Sequence, residues 1–237
     1  TTYIEGFGDT LRKAVRRLPP HAYSIYYIRR IPIMGGFFGA ASRKSCKYDV
    51  FFGTDYHSHL GTKRGGLAFY DPDKGFQRQI HNIENTPFRT KFESDLEKFS
   101  GCYGLGCISD TDPQPLLVRS HLGLFAISTV GIITNAEELV EKTFSGPGYQ
   151  FMAMSSGKVN ATELTAALIN RCDNLIDGIR YAQAAIEGSC TILILNQDGL
   201  IAARDSMGRL PIVIGQGEKG CCAAMESFAC QKLGYNP

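Results

Sequence analysis

An α+β fold is predicted from three features of the sequence. Short apolar segments bounded by Gly, Asp and Pro occupy its middle, a helical stripe follows Asn160, and short apolar runs return after Ser189. Met34 opens the first stretch of globular texture, after Pro19-Pro20 and Pro32, so the domain boundary is set there. Asp49–Leu60 mixes Val50, Phe51, Phe52, Tyr56 and Leu60 with polar residues at near-helical spacing, which predicts a helix before the Gly61-Thr-Lys-Arg-Gly-Gly turn. Leu67–Tyr70, Gly104–Ile108 and Leu122–Ile127 read as strands. Asn135 with Glu138, and Asn160 with Glu163, carry the cap-and-carboxylate signature of helix starts. Leu164, Leu168, Cys172, Leu175, Ile179, Ala182 and Ile186 then step by three or four, the stripe of one long helix or two consecutive ones packed on a sheet. Cys190–Leu195, Leu200–Ala203 and Leu210–Gly215 read as antiparallel hairpins, and Ala223–Leu233 as a last helix.

The 237 residues are 43% hydrophobic and 20% charged, enough to build a core without disulfide or metal staples. No apolar run approaches the roughly 20 residues of a membrane span. Net charge is +2, and the basic excess sits in residues 1–33, where Arg12, Lys13, Arg16, Arg17, Arg29 and Arg30 face only Glu5 and Asp9. A chain-wide field for nucleic acid is thereby excluded. Residues 1–33 are expected to be a poorly packed basic extension, a transit peptide or foreign leader, ahead of a domain over 34–237. The eight cysteines form no C-x-x-C pair, and several lie in apolar runs, so neither a metal nor a cofactor is expected and the cytoplasm is the expected compartment. His57-Ser58-His59 lacks a carboxylate at ligand spacing, no G-x-S-x-G elbow is present, and Gly35–Gly39 and Gly104–Gly106 are too short to cradle a dinucleotide.

Arg204-Asp205-Ser-Met-Gly208-Arg-Leu-Pro211 resembles the R-D-x-x-G-x-x-P-L turn of class II glutamine amidotransferases, closest to the glutaminase half of the amidophosphoribosyltransferase type. Six further pieces fall in the family's order. Met34–Gly39 resembles M-C-G-x-x-G, His59–Leu67 resembles L-x-x-R-G, and Gln114-Pro115 resembles N-x-Q-P. Gly131–Asn135, Gly188–Leu195 and Ala224–Ser227 match the G-x-x-x-N, G-x-Y-S and A-x-x-S-E-S segments. The resemblance covers residues 34–237 and implies an N-terminal-nucleophile hydrolase-like, four-layer αββα sandwich of two antiparallel sheets between helices.

In that family an N-terminal Cys attacks glutamine with its own α-amine as base, and an Asn side chain and a Gly N–H form the oxyanion hole. Carried over, the nucleophile position is Gly35, the carboxylate-binding Arg becomes Ser109, the oxyanion Asn becomes Val130, and Gly131 alone keeps the oxyanion glycine. The Asp of the family's D-S-E segment falls on Ala161. A glutaminase-like domain unable to hydrolyse glutamine is therefore expected, truncated at its C-terminal end, with a phosphoribosyltransferase-type synthase domain missing from this chain. One alternative is an active amidotransferase supplying ammonia for phosphoribosylamine in purine synthesis, through Cys46, Cys102 or Cys107 or, less simply, Thr1. Another is a non-enzymatic module binding glutamine, another amino acid or a partner protein in a pocket lined by Arg64, Ser109, Asp110 and Ser128; in any of these readings a homo-oligomer is allowed.

Overall fold

The computed structural model describes residues 35–144, 154–155 and 158–237. The expectations for the extension over residues 1–33 and for Met34 lie outside them. A six-stranded antiparallel sheet is assembled in the order β11-β12-β1-β4-β2-β3, from β1 (Gly35–Ser42), β2 (Arg64–Asp71), β3 (Gly75–Asn82), β4 (Tyr103–Ser109), β11 (Val213–Gly217) and β12 (Gly220–Ala224). A four-stranded sheet runs β10-β9-β6-β5, from β5 (Leu116–Ser120), β6 (Gly123–Ile133), β9 (Gly188–Asn196) and β10 (Gly199–Ala203). A two-stranded ribbon pairs β7 (Met154–Ser155) with β8 (Lys158–Val159).

Side-chain alternation stacks these sheets into layers. Along β1, Phe37 joins Leu105, Cys107, Ala126, Val130, Leu193 and Leu195 in the core between the sheets. Its neighbours Phe38 and Ala40 point the other way, into a core with Val50, Phe51, Phe88 and Cys230. That outer core is roofed by α1 (Lys47–Asp55), α2 (Phe88–Phe92) and α6 (Ser227–Lys232). On β6, Phe125 and Ile127 face Leu164, Leu168, Ile179 and Ala182 of α4 (Ala161–Ile169) and α5 (Leu175–Ala185). Helix α3 (Ala136–Phe144) adds Leu139 to that layer. Sheets buried on both faces read as near-continuous apolar runs, the texture of Cys190–Leu195. The result is the αββα sandwich of the N-terminal-nucleophile hydrolase fold.

The 160–187 stripe divides into two helices. Asn160 Oδ1 accepts from the Thr162 and Glu163 N–H groups, and Asn174 Oδ1 accepts from Asp177 N–H, so each helix has its own side-chain cap. Four expectations are corrected. A helix does begin directly after Asn135, at Ala136, but the Asn135 side chain joins the α5–β9 junction in place of capping it, accepting from Glu187 N–H and donating to the Ala185 carbonyl. The predicted hairpin after β10 is a crossover, because β10 pairs only with β9 and Arg204–Pro211 carries the chain to the other sheet, where β11 pairs with β12. Ala223 and Ala224 belong to β12, and only Ser227–Lys232 is helical. The 49–60 helix stops at Asp55, followed by a short 3₁₀ turn over Ser58–Leu60. Strands β3 and β5 and helix α2 escape the sequence reading.

The glycines weighed as phosphate loops are strand residues. A Cβ on Gly106 of β4 would collide with the Thr54 hydroxyl of α1, so the bare backbone lets that helix lie close on the sheet.

Candidate active site

Gly35 begins β1, and the sheet register sets it opposite Ser109, the last residue of β4. Ser109 in turn lies opposite Arg64, the first residue of β2. Three residues far apart in sequence thus form one rung at one end of the larger sheet. Val130 of β6 approaches this rung from the facing sheet, its Cγ2 3.6 Å from the point a Gly35 Cβ would occupy. Gly131 follows and is solvent-exposed. Its φ of +154° and the nearness of the Ser189 carbonyl, which any Cβ there would strike, both require glycine.

Gly35, Arg64, Ser109, Val130 and Gly131 are therefore brought together. Arg64 is half-buried and makes no ion pair among the described residues. The Ser109 hydroxyl is buried and engaged, accepting from Thr111 N–H at 3.2 Å and Asp112 N–H at 3.3 Å. Asp110 is directed elsewhere: its Oδ1 accepts from the Thr62 and Lys63 N–H groups and pins the loop that leads into β2. Ser128 is fully buried between the sheets, beside the Cys107 thiol, and belongs to the core.

Gln114 has a role that its spacing in the sequence does not reveal. Buried under the site, its Nε2 donates to the Thr129 carbonyl at 3.1 Å while its Oε1 accepts from Thr129 N–H at 2.8 Å. This amide acts as one rung of an extra strand and holds β6 immediately before Val130. On the opposite face, Thr129 Oγ1 meets Thr162 Oγ1 at 2.7 Å and ties β6 to α4. The Gln-Pro dipeptide offers a weak signal for such a contact; nothing local marks its partner.

The thiols weighed as relocated nucleophiles are poorly disposed for that work. Cys107 lies on the inner face two residues from Ser109, but burial pushes its thiol up to about 12, while the nearby Ser128 hydroxyl acts the other way. Cys46 is also pushed up, by burial first and then by Asp49. Cys102 precedes β4 at the end away from Ser109, roughly 20 Å along the strand. Among the described residues, no group of three or more His, Cys, Asp or Glu side chains gathers where a metal ion could be held. No helix among them is long and apolar enough to cross a membrane.

No family model matches the chain. It is 27% identical over 212 residues to an amidophosphoribosyltransferase of Methanocaldococcus jannaschii, an alignment covering 84% of this chain and 44% of that one. A second amidophosphoribosyltransferase, from Archaeoglobus fulgidus, is 29% identical over 183 residues, covering 76% and 36%. The chain is similar to the amidophosphoribosyltransferases. It spans less than half the length of these relatives. The fold comparison agrees: a glutamine phosphoribosylpyrophosphate amidotransferase from B. subtilis, complexed with ADP and GMP, superposes with a TM-score of 0.74 at 24% identity, over 85% of this chain and 44% of the other. A solved structure described as the allosteric regulatory enzyme of purine biosynthesis gives 0.74 at 23%, with the same coverage. The part matched corresponds to the class II glutamine amidotransferase region of the amidophosphoribosyltransferase type, as the seven motifs imply.

Proposed function

We propose that this chain is an amidophosphoribosyltransferase-like glutaminase domain that keeps the scaffold and does not hydrolyse glutamine. The observation that carries the reading is Gly35 itself: where the family has its nucleophile, β1 begins with bare backbone. The remaining chemistry is missing in the same place. Val130 puts a methyl where the oxyanion position calls for an amide donor, and losing one such donor costs about 3–4 kcal/mol of transition-state stabilisation. The Ser109 hydroxyl, at the position of the carboxylate-binding Arg, is already held by two backbone N–H groups. Arg64 and the Gly131 backbone are the polar elements left at this end of the sheet, and they suit binding of an amino acid or of a partner segment better than catalysis.

In this reading residues 34–237 form the domain, the protein works in the cytoplasm, where eight free thiols stay reduced, and its partner is a phosphoribosyl-transferring domain of the kind the longer relatives are named for. The test is ammonia release from millimolar glutamine by the unmodified chain, beside Cys107→Ala and Cys102→Ala variants. No release above the protein-free rate is expected. Release that disappears in either variant would overturn the silent reading and identify a relocated nucleophile.

A further inference from the structure

The outer face of the six-stranded sheet carries chemistry that the proposed function does not use. Cys222 on β12 and Cys230 on α6 are both buried, and the Cys222 thiol donates to Cys230 Sγ across 3.3 Å. A disulfide has its sulfurs about 2.05 Å apart, so closure asks for a movement of little more than 1 Å. The slot they share is made by an absence. A Cβ on Gly215 of the neighbouring strand β11 would lie 2.8 Å from Cys222 Sγ and 3.1 Å from Cys230 Cβ, so the missing side chain leaves the two sulfurs room to meet.

We propose that Cys222 and Cys230 form a reversible dithiol–disulfide couple oxidised by a small hydroperoxide. The two thiols have different parts. Because the Cys222 thiol donates to Cys230 Sγ, Cys230 is the sulfur that attacks: that bond pulls its thiol down against the opposing effect of burial, and the same bond and burial push Cys222 up. Its sulfur bonds to one peroxide oxygen, the O–O bond breaks, and the other oxygen leaves as hydroxide, or alkoxide for an organic peroxide, collecting the proton that Cys230 released. Cys222 then attacks the sulfenic sulfur, the S–S bond forms, the S–O bond breaks, and water departs with the Cys222 proton. Two thiols and one hydroperoxide thus become a disulfide, a water and a second water or alcohol. Burial of both sulfurs selects a small oxidant over a bulky disulfide such as oxidised glutathione. The cross-link would fasten α6 to β12, and β12 pairs along β1, with Cys222 opposite Ala40.

The experiment treats the full chain with hydrogen peroxide, blocks remaining thiols with iodoacetamide and maps the peptides by mass spectrometry. A Cys222–Cys230 linked species is expected as the main product, reversed by dithiothreitol and lost in both Cys222→Ser and Cys230→Ser. The oxidised protein should melt about 5–10 °C higher than the reduced one, since the link closes a short loop. Alkylation of both thiols after peroxide while exposed Cys221 is oxidised would overturn the proposal. So would a disulfide that uses Cys221 in place of Cys222, or a fall in melting temperature when the link forms.

Discussion

If the proposed function holds, placing a thiol at the family's nucleophile position by Gly35→Cys should give a less stable protein that still does not hydrolyse glutamine. A Cβ at position 35 would sit 2.7 Å from the Ile108 carbonyl oxygen, a backbone atom of β4 that cannot rotate away, and the local φ of +157° is one that side-chain-bearing residues rarely adopt. Holding a non-glycine residue in such a region costs about 1–3 kcal/mol. At about 2–4 °C per kcal/mol for a domain of this size, the melting temperature should fall by about 2–12 °C. Chemistry would not return with the thiol. The peptide bond from Met34 removes the α-amine that serves as base in N-terminal-nucleophile enzymes. Even if G35C were processed to expose that amine, Val130 would still leave the oxyanion without its side-chain donor, a deficit of 10²–10³-fold or about 3–4 kcal/mol. Thermal melts and ammonia release, run on G35C with and without residues 1–34, test both halves. A variant that melts like the unmodified chain and turns glutamine over would refute the steric and the catalytic argument together.

Two further outcomes follow from buried polar groups. Gln114→Ala should cost about 2–5 kcal/mol in urea unfolding, because it strands the Thr129 N–H and carbonyl in a buried layer; a loss under about 1 kcal/mol would mean that water replaces the amide. His57 is fully buried, with Nδ1 bonded to the Gly53 carbonyl and Nε2 unpartnered among the described residues. Burial lowers its pKa below 6.5; the Gly53 bond and Glu226 oppose this, and His59 adds to it. The unfolded chain therefore takes up a proton that the folded chain refuses. Stability from this group is complete above about pH 7 and is lost as the pH falls through 6.5, by up to about 1.4 kcal/mol per pH unit. Urea midpoints from pH 8 to pH 5 should show this acid limb in the unmodified chain and a shallower one in His57→Phe; equal slopes would remove His57 as its source.

How far the sequence reveals the fold depends on whether the deciding interaction is local. Asn160 and Glu163 announce α4 because the cap bonds span two and three residues, and Cys190–Leu195 reads as a buried strand from composition alone. Strand β12 does not, since Gly220-Cys-Cys-Ala-Ala has little strand propensity and becomes one only by pairing with β1 on one side and β11 on the other. Asn135 has the composition of a cap, yet a contact fifty residues away takes its side chain. The rung of Gly35, Ser109 and Arg64 is likewise a matter of register. Motif resemblance points to Gly35 and Ser109 separately, and only the paired strands place them side by side.

In the proposed reading, the polar residues around that rung account for a scaffold that outlasts its chemistry. Ser109, Asp110 and Gln114 all carry groups able to bind an amino acid, but each is committed to backbone N–H or carbonyl groups of the loops and strand around the rung. A side chain that satisfies buried backbone is retained for stability whether or not a substrate is ever bound, because removing it leaves unpaired groups worth about 1–3 kcal/mol each. A nucleophile has no such hold: at Gly35 a side chain would press on the Ile108 carbonyl, so its absence relieves strain. Arg64 stands apart from both classes, half-buried at the end of β2 and without an ion-pair partner among the described residues. If this end of the sheet binds a ligand, Arg64 is the residue whose replacement by Ala should weaken binding without unfolding the chain.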